Sequence, residues 1–182
     1  MIKPTREQIA AAAGKTVPDV IARGLDVVFC GINPGLYTAA AGHHFARPGN
    51  RFWPAIHRAG FTPRLFSPDE ERELLPLGCG ITNVVAHATA AAAELTADEL
   101  VEGGRALARK VKKYRPRVLA IVGMGAYRTA FNRPRATLGL QSEAIVDTAI
   151  WLLPNPSGLN ASYRPKDLVM LFRELREWVS AS

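Results

Sequence analysis

The sequence predicts one α/β domain on a mainly parallel, doubly wound sheet, and three observations carry that prediction. Apolar runs at Leu25–Cys30, Gly80–Val85, Arg117–Val122 and Ile150–Leu153 alternate with segments that open on helix caps. The first run is nearly continuous in apolar character, as in strands buried on both faces. The length of 182 residues at 48% hydrophobic suits one compact core.

The elements follow in order. Thr5 caps a short helix to Gly14, with Gln8 closing a capping box. Val17-Pro18 leads into the strand Leu25–Cys30. A long polar loop, Gly31 to Pro48, follows, with four glycines among residues 31–49. Loops of that length inside compact domains are usually functional or disordered. Asn50–Ala59 reads as a helix stopping at Gly60, and Ser67-Pro68-Asp69-Glu70 starts another with a cap, a proline and a box acid. After the strand Gly80–Val85, Thr96-Ala97-Asp98-Glu99 opens a boxed helix running to about Lys113. The strand Arg117–Val122 leads to a short helix after Met124. Glu143–Val146 and Ile150–Leu153 read as two strands around Asp147-Thr148. A final helix follows Pro165 to Val179, with Leu168, Leu171, Phe172, Leu175 and Trp178 on one stripe. Residues 1–23 form an N-terminal helical extension and 24–182 the main domain. In such sheets working loops gather at the carboxyl ends of the strands, here the Gly31, Val85, Gly123 and Pro154 loops.

The formal net charge of +7 and a pI near 9.8 point toward polyanionic partners. Two cysteines are too few for a disulfide framework or a four-thiolate metal site, and Cys30 reads as a small buried hydrophobe. No stretch approaches the roughly 18–20 apolar residues of a membrane span, and residues 1–6 carry no signal-peptide core. A soluble, cytoplasmic protein without membrane contact is expected.

Three constellations carry chemistry. Gly31-Ile32-Asn33-Pro34-Gly35 follows the first strand, where glycines let backbone approach a ligand; the alternative is a plain strand-ending turn. Pro154-Asn155-Pro156-Ser157-Gly158-Leu159-Asn160 is a stiff loop with an apolar tip, suited to a wedge in a base stack or to capping the core. Phe45-Ala46-Arg47-Pro48-Gly49-Asn50-Arg51-Phe52-Trp53 interleaves aromatics and cations, as base stacking and phosphate pairing require. Phe52 and Trp53 read as a buried helix face, leaving Phe45 as the stacking candidate.

Weaker signals point elsewhere. The adjacent pair His43-His44 should diverge and not share a metal, and Arg109–Arg115 reads as a solvated basic helix end. Gly123-Met124-Gly125 lacks the third glycine of a dinucleotide fingerprint. On residue chemistry alone, a non-catalytic DNA-binding module and a nucleotide- or phosphate-ester enzyme using the Gly31 loop both stay open.

In their order, Gly31–Gly35, Phe45, Asn50–Trp53, Gly80–Asn83 and Asn155–Leu159 resemble the motifs of mismatch-specific uracil-DNA glycosylases, relatives of thymine-DNA glycosylase. The resemblance spans about Gly24 to Trp178. It implies a three-layer α/β/α fold and a monomeric, cofactor-free and metal-free hydrolase acting by base flipping. Its substrates would be double-stranded DNA with G·U or G·T mismatches and, as a further option, single-stranded DNA.

It further implies that Asn33 positions the hydrolytic water. Ile32, Gly35, Thr38, Phe45 and Asn155 would surround the flipped base, with the Phe45 ring stacked on it. Leu159 would fill the vacated stack, and Gly158 and Asn160 would meet the orphaned guanine. Three positions depart from the pattern. His87 stands where relatives carry Arg, and Asn160-Ala161 replaces a Ser-Arg pair. Ala93 stands where several relatives place an acid, so it marks a substituted acid position.

Overall fold

The computed structural model describes residues 3–181. Residues 1, 2 and 182, the ends of the expected N-terminal extension and main domain, lie outside them. Six α-helices are described: α1 (Arg6–Ala10), α2 (Leu36–Ala41), α3 (Phe52–Arg58), α4 (Ala97–Tyr114), α5 (Met124–Ala130) and α6 (Pro165–Ala181). Five strands are described: β1 (Val27–Gly31), β2 (Cys79–Asn83), β3 (Val118–Val122), β4 (Gly139–Ile145) and β5 (Thr148–Leu153). They form one sheet in the order β2-β1-β3-β5-β4, parallel except for β4, which pairs antiparallel with β5.

Side-chain alternation divides the core into two layers. Val27, Phe29, Val118, Ala120, Val122, Trp151 and Leu153 face α3 and α6. Val28, Cys30, Leu119, Ile121, Ile150 and Leu152 face α4 and α5. The expected three-layer α/β/α fold with a mainly parallel sheet is therefore the observed one. Both faces of β1 and β3 are buried, which accounts for their unbroken apolar sequences.

The helix starts predicted at Thr5, Ser67 and Thr96 all form complete capping boxes. The Ser67 box opens a 3-10 helix (Pro68–Leu77) rather than an α-helix.

Two expectations need correction. The Gly31–Pro48 segment is not all loop: α2 forms between N-cap Gly35 and the left-handed Gly42. The Arg109–Arg115 run is not wholly solvated either. Lys110 Nζ lies 2.5 Å from Asp19 Oδ2 and donates to Thr82 Oγ1 at 2.8 Å, tying α4 to the N-terminal segment and β2. That segment is stitched to the sheet by reciprocal backbone bonds between Val20 and Ile81. Among the described residues, no helix is long and apolar enough to cross a membrane.

Candidate functional site

The carboxyl ends of β1, β2, β3 and β5 open into a cavity of about 230 Å³. Ile32, Asn33, Gly35, Thr38, Phe45, Asn155 and Leu159 all line it, so the structure brings together residues that span most of the chain. Gly158 lies beside it, in a second cavity shared with Arg47, Asn50 and Leu159. Asn160 and Ala93 line neither. A larger cavity of about 490 Å³, by residues 132–143, contains none of the predicted site residues.

Asn33 is oriented by its neighbours. Its Nδ2 donates to the His87 carbonyl at 3.1 Å and to Thr89 Oγ1 at 2.8 Å. The Thr89 hydroxyl proton is already spent on the Ala91 carbonyl at 2.8 Å, so Thr89 can only accept from Asn33. The amide cannot reverse without losing both bonds. Its Oδ1 is left without a protein donor among the described residues. Thr89 was not singled out by sequence; its separation from Asn33 hides the pair.

A second oriented amide stands at Asn83. Burial drives the His44 pKa below its ordinary value, so this histidine is neutral at pH 7. Its Nε2 faces the Pro18 carbonyl at 3.0 Å and must donate, which leaves Nδ1 to accept from Asn83 Nδ2 at 3.4 Å. Asn83 Oδ1 then lies over Gly31, 2.4 Å from where a Cβ would stand. A side chain at position 31 would displace that oxygen. The two histidines diverge as the sequence suggested, His43 reaching Glu71 at 3.0 Å.

Phe45 adopts a left-handed backbone (φ 53°), and its ring stacks on Phe52 with centroids 4.0 Å apart. Phe52 and Trp53 are buried, as their place on the helix predicted. One face of the Phe45 ring is thus taken by the core, and the residue borders the cavity.

The remaining predicted residues divide by what they touch. The Ile32 carbonyl accepts from Val85 N at 2.9 Å, and its side chain packs against Gly123, so its polar backbone is partly spent. Gly35 caps α2, and Thr38 is buried beneath it. Asn155 Oδ1 accepts from Ser157 N at 2.9 Å. Asn160 turns its amide inward, donating to the Asn155 carbonyl at 3.0 Å and accepting from Ser162 N. Leu159 is 74% exposed at the cavity rim, which rules out the core-capping alternative.

The alanine run follows β2 into a short 3-10 turn, Ala92–Glu94. Ala90, Ala91 and Ala92 line the cavity, while Ala93 is exposed beside them. His87 uses its carbonyl on Asn33 and its Nε2 on Glu99 Oε1 at 3.2 Å, so it links the Asn33 amide to the first turn of α4.

The family model described as Uracil DNA glycosylase superfamily matches residues 18–176. The solution NMR structure of a candidate uracil DNA glycosylase from Methanosarcina acetivorans superposes with a TM-score of 0.59 at 17% identity. It covers 90% of this chain and 98% of that one, a likeness of fold. Family match and architecture agree: the chain belongs to the uracil DNA glycosylase superfamily, glycosidic hydrolases that act on DNA.

Proposed function

We propose that this chain is a monomeric uracil-DNA glycosylase directed to guanine mismatches. It extrudes the mispaired base from a duplex and hydrolyses its N-glycosidic bond, leaving an abasic site. The observation that carries this reading is the Asn33 amide, locked with a free Oδ1 in a cavity bordered by Phe45 and the exposed Leu159.

Each part has a chemical use. A base inside a duplex is out of reach, and extruding it costs a few kcal/mol, less at a mismatch. Leu159 fills the gap and Phe45 offers a ring face to the extruded base. Asn83 Oδ1 is an acceptor suited to the N3–H of uracil or thymine, where cytosine presents an unprotonated nitrogen. Asn33 Oδ1 accepts a hydrogen bond from water and aims its lone pair at the sugar carbon. The amide cannot take the proton at pH 7, so the bond from sugar to base breaks first, the base leaving with the electron pair as an anion. Water then adds to the sugar cation, and its proton passes to solvent or to the departed base.

The direct test is a duplex oligonucleotide with one G·U pair. Free uracil and an abasic site are expected. Retention without cleavage would make the chain a binding module, and neither outcome would point back to a phosphate-ester enzyme.

Thr89 gives a finer check. Thr89→Val removes the acceptor that orients Asn33 and keeps the side-chain volume, while Thr89→Ser restores it. Uracil release should fall about ten-fold or more in the valine variant and return in the serine one, because misaligned reacting groups lose rate steeply. Equal rates in single-turnover measurements would disconnect Thr89 from the reaction.

Position 93 can be probed by addition. Ala93 sits one residue beyond the alanines that line the cavity, so a carboxylate there would reach the site only through its side chain. We expect Ala93→Asp to raise uracil release on the order of a hundred-fold, as positioned general bases do. The gain should fade as pH falls toward the ordinary carboxylate range near ~4. An unchanged rate across pH would make the run a linker before α4.

A further inference from the structure

We propose that Arg51 is the positioning residue of the wedge: its guanidinium holds residues 156–163 in the shape that presents Leu159 to a duplex. The inference rests on the glycosylase reading and assigns a residue outside its chemistry. In the interleaved Phe45–Trp53 segment the cations, Arg51 among them, suggested phosphate pairing. The structure gives it other work.

Arg51 precedes α3, whose Phe52, Trp53 and Ile56 are buried, so its backbone is fixed to the core. Its amide N donates to the Pro156 carbonyl at 2.9 Å. Its Nε reaches the same carbonyl at 3.4 Å. Nη2 donates to Ser157 O at 2.6 Å and Asn160 O at 2.8 Å, and Nη1 donates to Tyr163 O at 2.5 Å. One planar fork thus gathers carbonyls from both limbs of the loop. Lysine, a point charge on a flexible stem, cannot reproduce that geometry.

The loop's internal bonds, Ser157 N to Asn155 Oδ1 and Asn160 Nδ2 to the Asn155 carbonyl, shape it but do not attach its tip to the body. Pro156 is buried and Tyr163 packs against the core, which fixes the two ends of the loop. Between them the hydrogen-bonded attachment comes from Arg51, beside one backbone contact, where Gly158 passes so close to the Gly49 carbonyl that a Cβ would stand 2.5 Å from it.

Two consequences favour a duplex. The loop is ordered before DNA arrives, so its ordering entropy is not lost at the flipping step. The gathered carbonyls point at a buried-side cation instead of at the phosphate polyanion, removing a repulsion. The clamp therefore serves the step that needs a wedge, and a base already unstacked does not need it.

The experiment compares Arg51→Met and Arg51→Lys with Leu159→Ala in the full chain. Single-turnover uracil release is measured from a G·U duplex and from a single strand carrying the same uracil. Both Arg51 variants should lose about ten-fold or more on the duplex and stay within about threefold on the single strand, matching Leu159→Ala. Hydrogen exchange at the amides of residues 157–162 should accelerate in the Arg51 variants, with or without turnover.

A parental duplex rate in Arg51→Met, beside a reduced one in Leu159→Ala, would overturn the clamp and leave the wedge standing. Equal losses on both substrates would overturn it too, making Arg51 a general support of the fold. Absence of uracil release from the parent chain would instead refute the glycosylase reading. Unchanged exchange in Arg51→Met would then dismiss the clamp separately.

Discussion

Replacing Asn33 by alanine is expected to lower uracil release by 10²–10³-fold or so, the scale of losing one preorganised hydrogen-bonding group at a reacting centre. Affinity for a duplex containing an abasic site should stay within about twofold, because no duplex-binding role falls to a side chain engaged with His87 and Thr89. The reason lies in the network. Two acceptors take the amide protons, so the carbonyl oxygen is the group left for water. Alanine deletes that oxygen and leaves the His87 carbonyl and Thr89 hydroxyl to solvent in a cavity already open to it. Asn33→Asp adds a useful contrast: its carboxylate keeps an acceptor for water but cannot donate to the His87 carbonyl. Parental single-turnover rates in Asn33→Ala would remove Asn33 from the mechanism.

The second large effect belongs to Leu159. Leu159→Ala should weaken binding to abasic duplex by about 1–3 kcal/mol, roughly 5- to 150-fold in Kd, since the vacated stack loses its apolar filler. The same substitution should leave the thermal midpoint nearly unchanged. A leucine that capped the core would cost about 2–5 kcal/mol of stability on truncation, but this one is 74% exposed. Binding and stability therefore move independently. Unchanged affinity, measured by titration of a labelled abasic duplex, would take the wedge away from this loop.

Much of the fold was legible because burial writes itself into strands. β1 and β3 lie inside the sheet with helices on both faces, so every residue must be apolar and the runs stand out. The antiparallel hairpin of β4 and β5 was visible as two strands, with β4 extending further upstream because an edge strand with alternating burial carries polar residues. Helix α2 escaped because six residues between two glycines are too few to display a period.

The site was legible as motifs rather than as a network. Asn33, Phe45, Asn155 and Leu159 sit in recognisable loops and meet at one cavity. Thr89 and Arg51 act through partners far away in sequence. Arg51 bonds carbonyls 105 to 112 residues downstream, and a backbone carbonyl leaves no mark in a sequence. Lys110 was misread for the same reason, since its acid, Asp19, belongs to another segment.

The two cysteines give the molecule a pair of internal clocks. Burial raises both thiols, Cys79 to about 12 and Cys30 further, so at neutral pH neither offers the thiolate that alkylating reagents attack. Modification must wait for water to reach the sulfur, and the two sulfurs lie at different depths of the sheet. Cys79 begins β2, the outermost strand on its side, whereas Cys30 sits inside β1 between two parallel neighbours. Release of the N-terminal segment bonded to Ile81 is expected to expose the first, and parting of β1 from its neighbours the second. Their alkylation rates should therefore separate local opening from global unfolding within one chain, with no cysteine introduced.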